Sequence, residues 1–148
     1  MSYRITKLKP GDELLAEESI KNVWIPYDSL SASKKYLTKF LADDDHYLYV
    51  ATEDSKPVGM VLAYRVAQLP REQTMMYLYA IDVLPSHQNR GIGAALIEEL
   101  KRVCVEKGIA KMWLGTSQSN LPAMALYKKT GGTRMGMDEA GFQWDFSR

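Results

Sequence analysis

Two glycines at the start of a predicted helix form the part of this chain best suited to bind an anion. The segment Gln88-Asn89-Arg90-Gly91-Ile92-Gly93 is followed by apolar residues at the spacing of an amphipathic helix. At a helix start the first backbone N–H groups have no intrahelical partner, and the helix dipole adds about half a positive charge. Gly91 also lets a ligand approach the backbone closely. The segment therefore predicts a phosphate-binding site.

Two common nucleotide-binding motifs do not fit this segment. A nucleotide P-loop ends in Gly-Lys followed by Ser or Thr, which occurs nowhere in the sequence. A dinucleotide-binding fingerprint needs a third glycine where this chain has Leu96. The pattern that remains is Gln88-x-x-Gly91-x-Gly93, lying between a strand and a helix.

Periodicity and turn residues predict the elements that position this segment. An apolar strand over 75–84 ends before Pro85, and the helix that follows ends at Gly108. Further strands are predicted at 3–8, 46–52, 57–66, 111–116, 133–137 and 142–146, the last two as a hairpin. Further helices are predicted from Asp12 to Trp24, from Ser31 or Ser33, and from Ser119 or Asn120. Gly59 predicts a bulge or close packing, and the order of elements predicts a mixed α/β sheet with helices on both faces.

A second motif lies in the last predicted helix. It reads Asn120-Leu-Pro-Ala123-Met-Ala-Leu-Tyr127, with Gly131 after it. The two motifs resemble the (Gln/Arg)-x-x-Gly-x-(Gly/Ala) and Asn-x-x-Ala-x-x-Leu-Tyr-x-x-x-Gly signatures of the GNAT N-acetyltransferase superfamily. The resemblance covers about residues 46–137. Within the superfamily, residues 47–83 and Trp144-Asp145-Phe146 look like the aminoglycoside 3-N-acetyltransferase branch, although that branch carries an Asp where this chain has Ala80.

This resemblance implies one GNAT domain over residues 1–148, with acetyl-CoA as acetyl donor and no metal. It implies a mostly antiparallel sheet, splayed between two central strands, and about four helices on its two faces. The backbone of Ile81 and Val83 is expected to bind the pantetheine arm. The expected pyrophosphate contacts are Gln88, Asn89, Arg90, Gly91, Ile92, Gly93 and Ala94. Asn120, Ala123 and Tyr127 are expected to lie against the cofactor as well.

Tyr127 is the residue that the resemblance assigns as proton donor to the sulfur of CoA. A phenol has a pKa of about 10 and a thiol about 8.5, so full proton transfer to the thiolate is uphill by about 2 kcal/mol. We therefore expect Tyr127 mainly to donate a hydrogen bond to the developing thiolate.

A base is also needed, because only a neutral amine attacks the thioester. Asp82 is the only carboxylate on the central strand, and a water relay past Tyr79 or the C-terminal Asp145 are the alternatives. Regular alternation would place Tyr79 and Ile81 on one face of this strand and Asp82 on the other, and a bulge would mix the two faces.

Other features limit the partners and the compartment. The net charge of +1 gives no argument for nucleic acid or membrane as a partner. A lone Cys104, no apolar run of membrane-spanning length and no signal-peptide core lead us to expect a cytoplasmic protein. The run Asp43–Asp45 predicts a solvated loop or a rim that attracts cations, and His87 is predicted to be an exposed loop residue. Trp24, Tyr27 and Tyr36 are predicted to wall an acceptor pocket or to pack in the core.

The leading hypothesis is an acetyl-CoA-dependent N-acetyltransferase that acts on a primary amine of a small molecule, such as an aminoglycoside or a polyamine. Two alternatives stay open. One is acetylation of a peptide or protein amine, and the other is a CoA-binding module without catalysis. Pairing of two copies into a homodimer, which the resemblance suggests, also stays open.

Overall fold

The computed structural model describes residues 2–24, 32–136 and 141–147, and these form a mixed sheet with helices on both faces. The described residues contain the strands β1 (Arg4–Lys7), β2 (His46–Glu53), β3 (Lys56–Gln68), β4 (Gln73–Val83) and β5 (Lys111–Trp113). They also contain the helices α1 (Glu13–Asn22), α2 (Lys34–Ala42), α3 (Ile92–Glu106) and α4 (Leu121–Lys129), with a 3₁₀ turn over Pro85–His87. The predicted α/β class is confirmed.

The strands lie side by side in chain order. The pairs from β1 to β4 are antiparallel, and β5 runs parallel to β4. In the described part of the chain β5 is therefore an edge strand, whereas the resemblance implied that it lies centrally. None of the described helices is long and apolar enough to cross a membrane.

The long apolar runs of the middle strands are explained by cores on both faces of the sheet. Tyr47 and Tyr49 of β2 face α3, whereas Leu48 and Val50 face α1 and α2. The α3 side is filled by the helix residues Ile92, Leu96, Ile97, Leu100 and Val103. The other side holds Ala16, Val23, Leu37 and Leu41. Alternation along β2 therefore buries consecutive residues in two different cores.

Gly59 sits where β3 is both irregular and closely packed. A Cβ at this position would stand 3.0 Å from Ile92 Cγ2 and 3.4 Å from Val83 Cγ2. The β2–β3 register also shifts beside it, between the Ala51–Gly59 and Thr52–Pro57 pairs. Both consequences predicted for Gly59 are therefore present, and the glycine lets β3 lie against the start of α3.

The helix starts follow the predicted caps in two of three cases. Ser33 Oγ accepts from Tyr36 N–H at 3.1 Å, and Asn120 Oδ1 accepts from Ala123 N–H at 3.2 Å. Ser31 lies outside the described residues. Asp12 precedes α1, but its carboxylate accepts from Lys9 N–H at 3.0 Å instead of capping the helix. The side chain is used in the preceding turn, and α1 ends at Asn22 rather than at Trp24.

One predicted strand was too long, and two more are not strands in the described residues. The strand expected at 111–116 ends at Trp113, and residues 133–136 and 141–147 adopt neither helix nor strand. The rest of the expected C-terminal hairpin, 137–140, lies outside the described residues. Phe142, Trp144 and Phe146 alternate as a strand would, yet all three are exposed. Alternation produces a strand only where a neighbouring strand is available to pair with it.

Candidate active site

An opening forms where β4 and β5 part. The two strands pair only from Met75–Lys111 to Tyr77–Trp113, and β4 continues to Val83 without β5 beside it. Leu84 N–H donates to Val58 O of β3 at 2.9 Å. Because alternate residues of an antiparallel strand point their backbone groups to the same side, Ile81 and Val83 point theirs away from β3 and into the opening. A splayed β4–β5 pair was predicted, and the structure has it.

The start of α3 closes one end of this opening. Gly91 stands at the cap position with φ +84°, a left-handed conformation that favours glycine. No side chain caps the helix and no acidic residue lies in its first turn, so its first N–H groups remain available to an anion. A Cβ on Gly93 would lie 3.2 Å from Leu126 Cδ2, so this glycine allows α4 to approach. Gln88 Nε2 donates to Val83 O at 3.1 Å and ties the loop to β4.

These elements enclose a cleft of about 410 Å³. The predicted cofactor-binding residues that line it are Ile81, Val83, Gln88, Asn89, Gly91, Ile92, Gly93, Ala94, Asn120, Ala123 and Tyr127. His87, Pro122, Leu126 and Lys129 also line it. Arg90 does not, although it was predicted among the pyrophosphate contacts.

Arg90 and His87 both contact the β2–β3 hairpin. Glu53, the last residue of β2, accepts a hydrogen bond from His87 Nε2 at 3.0 Å and lies 3.6 Å from Arg90. Ser86 Oγ lies 2.7 Å from the other ring nitrogen of His87. The His87 side chain is only 16% exposed, so its prediction as an exposed loop residue was wrong. No sequence pattern near Glu53 indicates this contact, because Glu53 and His87 are 34 positions apart along the chain.

Asp82 and Tyr127 face the region where the two sides of the opening meet. Both residues line the 410 Å³ cleft and a second, adjoining cleft. Burial raises the pKa of the Asp82 carboxyl. Burial also raises the pKa of the Tyr127 phenol, and the negative charge of Asp82 raises it further. Tyr127 therefore keeps its proton at neutral pH and can donate it in a hydrogen bond.

A bulge in β4 sets the direction of Tyr79. Ala63 pairs with Leu78 and Leu62 pairs with Ala80, which leaves Tyr79 as the extra residue. Leu78 and Ile81 therefore both pack on the α3 side. The bulge that the sequence analysis considered is present, and the regular alternation fails beyond it. Tyr79 is 50% exposed and lines the second cleft.

The second cleft has a volume of about 210 Å³ and adjoins the aromatic residues of the sheet. Trp24 lines it and also packs against the core on the α1 and α2 side, and its ring meets the Tyr79 ring edge-on at 6.0 Å. Tyr36 does not line it; its exposed ring stacks on Phe40. Tyr27 lies outside the described residues. Asp145 lies outside both clefts and accepts hydrogen bonds from Ser147.

The acidic run at the end of α2 is partly neutralised within the chain. Asp45 Oδ1 lies 2.7 Å from an Arg65 guanidinium nitrogen, and Asp43 lies 3.6 Å from His46. Neither carboxylate lines the two clefts. Asp45 therefore holds the turn before β2 against β3, Asp43 lies beside the first residue of β2, and neither faces the opening.

This geometry can be compared with known proteins. The model of the acetyltransferase (GNAT) family matches residues 15–132. The chain belongs to this family. The family and the fold class that the two motifs predicted are therefore confirmed, and an acyltransferase enzyme class is supported by the family and by N-acetyltransferase relatives.

The individual GNAT relatives act on different acceptors. The chain is 33% identical over 73 residues to the ribosomal protein bS18-alanine N-acetyltransferase of Escherichia coli K12. The aligned residues cover 49% of this chain and 48% of that protein. The chain thus matches about half the length of this relative. Two solved structures of aminoglycoside acetyltransferases, both from uncultured soil metagenomic samples, share the fold over nearly the full chain. That of meta-AAC0020 with trehalose has a TM-score of 0.85 at 23% identity, covering 98% of this chain and 97% of that one. The structure of HMB0005 has a TM-score of 0.81 at 28% sequence identity, and the match covers 99% of this chain and 100% of that one.

Proposed function

We propose that this GNAT protein transfers the acetyl group of acetyl-CoA to a primary amine of a small molecule, by direct attack in a ternary complex. The observation that carries the proposal is the convergence of three parts on one cleft. These are the uncapped start of α3, the backbone of β4 at Ile81 and Val83 that faces away from β3, and the Tyr127 phenol.

The cofactor is proposed to lie along this cleft. Its pyrophosphate would accept hydrogen bonds from the N–H groups that follow Gly91, where the helix dipole favours negative charge. Its pantetheine amides would pair with the backbone of Ile81 and Val83 and so continue the sheet. Lys129, at the rim of the same cleft, adds a cation on the α4 side.

The reaction itself requires one proton transfer and benefits from one hydrogen bond to the leaving sulfur. The neutral amine attacks the thioester carbonyl, a C–N bond forms, the C–S bond breaks, and CoA leaves as a thiolate. Tyr127 is proposed to donate a hydrogen bond to that sulfur, because its raised pKa keeps the phenol protonated. Asp82 is proposed to take the proton of the attacking amine, directly or through water. The raised pKa of Asp82 makes its carboxylate a stronger base than an ordinary aspartate.

A second candidate is acetylation of a peptide or protein amine. It is favoured by the similarity to the bS18-alanine N-acetyltransferase, which is 33% identical over 73 residues, about half of either chain. Pairing of two copies stays a prediction.

The test is release of CoA thiol from acetyl-CoA across a panel of amines: aminoglycosides, polyamines, amino acids and short peptides with N-terminal alanine. Turnover on a small amine supports the proposal, and turnover on peptides alone supports the second candidate. Binding of acetyl-CoA without turnover on any amine would contradict both and favour a CoA-binding module. Mass spectrometry of the product then identifies the acetylated nitrogen.

A further inference from the structure

Glu53 contacts the chain on both sides of Gln88, the first residue of the anion-binding loop (residues 88–91). Its carboxylate accepts a hydrogen bond from His87 Nε2 at 3.0 Å and lies 3.6 Å from an Arg90 guanidinium nitrogen. The Glu53 and His87 side chains are both partly buried. Glu53 lies outside both clefts, whereas His87 lines the 410 Å³ cleft. Glu53 can therefore act on a ligand of that cleft through the residues that it holds.

The β2–β3 hairpin gives Glu53 a fixed position. Glu53 pairs with Lys56 across a two-residue turn, and the turn residues Asp54 and Ser55 have φ values of 52° and 65°. Two left-handed residues are what a type I′ turn requires, and this turn matches the twist of the flanking strands. The carboxylate therefore stands at the end of a regular strand, which holds a side chain more precisely than a loop does.

The anion-binding loop has a conformation that needs such support. Asn89 and Gly91 both have left-handed φ values, +62° and +84°. This conformation is unfavourable for a residue with a side chain, although Asn tolerates it better than most. Gln88 Nε2 donates to Val83 O at 3.1 Å and fixes one side chain of the loop to β4. Further contacts are needed to hold the residues around it.

Both flanks of the loop are anchored on β3. Before the loop, Leu84 N–H donates to Val58 O at 2.9 Å. After it, the buried Ile92 packs closely against β3 at Gly59. Between these two points Glu53 supplies the contacts from the hairpin. The same hairpin therefore holds the loop at its start, its middle and its end.

We propose that Glu53 is a positioning residue for the cofactor: by holding His87 and Arg90, it keeps the anion-binding loop in the shape that receives the pyrophosphate of acetyl-CoA. This inference rests on the proposed function, since it concerns the cosubstrate of the same site. A loop that already has its bound shape need not be ordered when the ligand arrives, and affinity rises accordingly. The hydrogen bond from His87 also holds the pKa of Glu53 below its ordinary value, so the carboxylate is charged at neutral pH.

The charge of Glu53 could also act in the opposite direction. A carboxylate near the proposed phosphate site repels an anion, and it engages Arg90, a cation that could otherwise turn to the phosphate. Arg90 and solvent screen this repulsion, whereas loss of the loop shape would displace the N–H groups of the site. We therefore expect positioning to dominate. The two effects have opposite signs, because removal of Glu53 weakens acetyl-CoA binding in the first case and tightens it in the second.

The test is calorimetric titration of Glu53→Ala with acetyl-CoA, at a temperature where the variant is fully folded. We expect the Kd to rise by about five- to twentyfold. The kcat at saturating acetyl-CoA should stay within about twofold of the wild type, because Asp82 and Tyr127 lie on other elements. An unchanged or lower Kd, or a loss confined to kcat, would overturn the inference.

Glu106→Ala is the matched control. Glu106 lies 2.6 Å from Arg102 and is the last residue of α3, so the same substitution removes an ion pair at the end of the helix far from the loop. Its Kd for acetyl-CoA should stay within about twofold of the wild type. An equal rise in both variants would overturn the inference, because loss of any ion pair would then suffice.

A double-mutant cycle tests the route through His87. His87→Leu alone should raise the Kd of acetyl-CoA by at least about threefold, and the double variant with Glu53→Ala should bind within about twofold of Glu53→Ala. An unchanged Kd in His87→Leu, or losses that multiply in the double variant, would overturn the inference. If the wild type binds acetyl-CoA but acetylates no amine, the proposed function fails alone, and these Kd values still decide the role of Glu53. If the wild type does not bind acetyl-CoA, both fail.

Discussion

His87 Nε2 lies 3.0 Å from Glu53 Oε1 and joins the end of β2 to the turn that precedes the anion-binding loop. The second Glu53 oxygen lies 3.6 Å from Arg90 of the same loop. The Glu53 carboxylate thus holds His87, which precedes Gln88, and Arg90, which follows it. The Gln88 side chain itself donates a hydrogen bond to β4. The shape of the loop is therefore set from the β2–β3 hairpin as well as from the helix that follows it.

Replacing Glu53 with Gln should destabilise the fold at neutral pH and not at low pH. The hydrogen bond from His87 holds the pKa of Glu53 below its ordinary value. A lowered pKa means that the stabilisation is present above the ordinary carboxyl pKa and is lost as pH falls through the folded-state pKa. The melting temperature of Glu53→Gln should therefore lie below that of the wild type at pH 7, and the two should converge below about pH 4.

Glu98→Gln is the control for that comparison. Glu98 pairs with Lys101 on the exposed side of α3, three residues apart, and such pairs contribute little. Its melting temperature should follow the wild type at every pH. A deficit in Glu53→Gln that stays constant down to low pH would show that packing, not charge, is lost.

Gly91→Ala should weaken acetyl-CoA binding, and the loss of affinity should exceed what the loss of folding stability alone would cause. The left-handed φ of +84° costs an alanine about 1 kcal/mol, and the added methyl stands beside the proposed phosphate site. Gly108→Ala is the matched control, because Gly108 has φ +65°, equally open surroundings and a position at the far end of α3. Both variants should lose similar stability in denaturant melts. Only Gly91→Ala should raise the Kd of acetyl-CoA, by about tenfold or more; equal affinities would contradict the proposed phosphate site.

The parts of the site that could be predicted from sequence are those coded locally. Two glycines after a strand indicate a helix start, and the motif from Asn120 to Tyr127 predicts a cap and the short helix that follows it. The bulge at Tyr79 depends on the register between β3 and β4, which no pattern within β4 alone determines. The contact between Glu53 and His87 joins residues 34 positions apart, so no periodicity reveals it. The fold class was predictable because it, too, follows from local patterns along the chain. The length of β5 was not, because it depends on where β4 diverges from it.

Tyr127→Phe should lower kcat by about 10- to 100-fold and leave the KM for acetyl-CoA within about threefold. The phenol O–H is proposed to act on the thiolate that forms in the transition state, so its loss should not affect the ground state. Tyr47→Phe is the matched control, since the buried Tyr47 Oη makes no hydrogen bond to any described residue. Its kinetics should match the wild type, with stability equal or up to about 1 kcal/mol higher. An equal loss of kcat in both variants would contradict a role for the Tyr127 hydroxyl.

Asp82→Asn should stabilise the protein at alkaline pH. Burial raises the pKa of Asp82, so the folded state resists ionisation of this carboxyl more than the unfolded state does. A raised carboxyl pKa means that stability is fully present below the unfolded-state pKa and is lost as pH rises through the folded-state value. The neutral amide escapes this loss. The melting temperature of Asp82→Asn should exceed the wild type at pH 8, and the difference should vanish near pH 4.

The same substitution tests whether Asp82 is the base. If it is, the wild-type kcat/KM should fall at low pH as Asp82 becomes protonated. This acid limb of the pH profile should be absent from Asp82→Asn, and the kcat of that variant should be lower by about 100-fold. Tyr79→Phe distinguishes the alternative, because a relay through the Tyr79 hydroxyl would lose activity in that variant and keep the acid limb. Activity of Asp82→Asn within about threefold of the wild type would exclude Asp82 as the base. Because the stability change and the activity change have opposite signs, a loss of activity in a more stable protein cannot be attributed to misfolding.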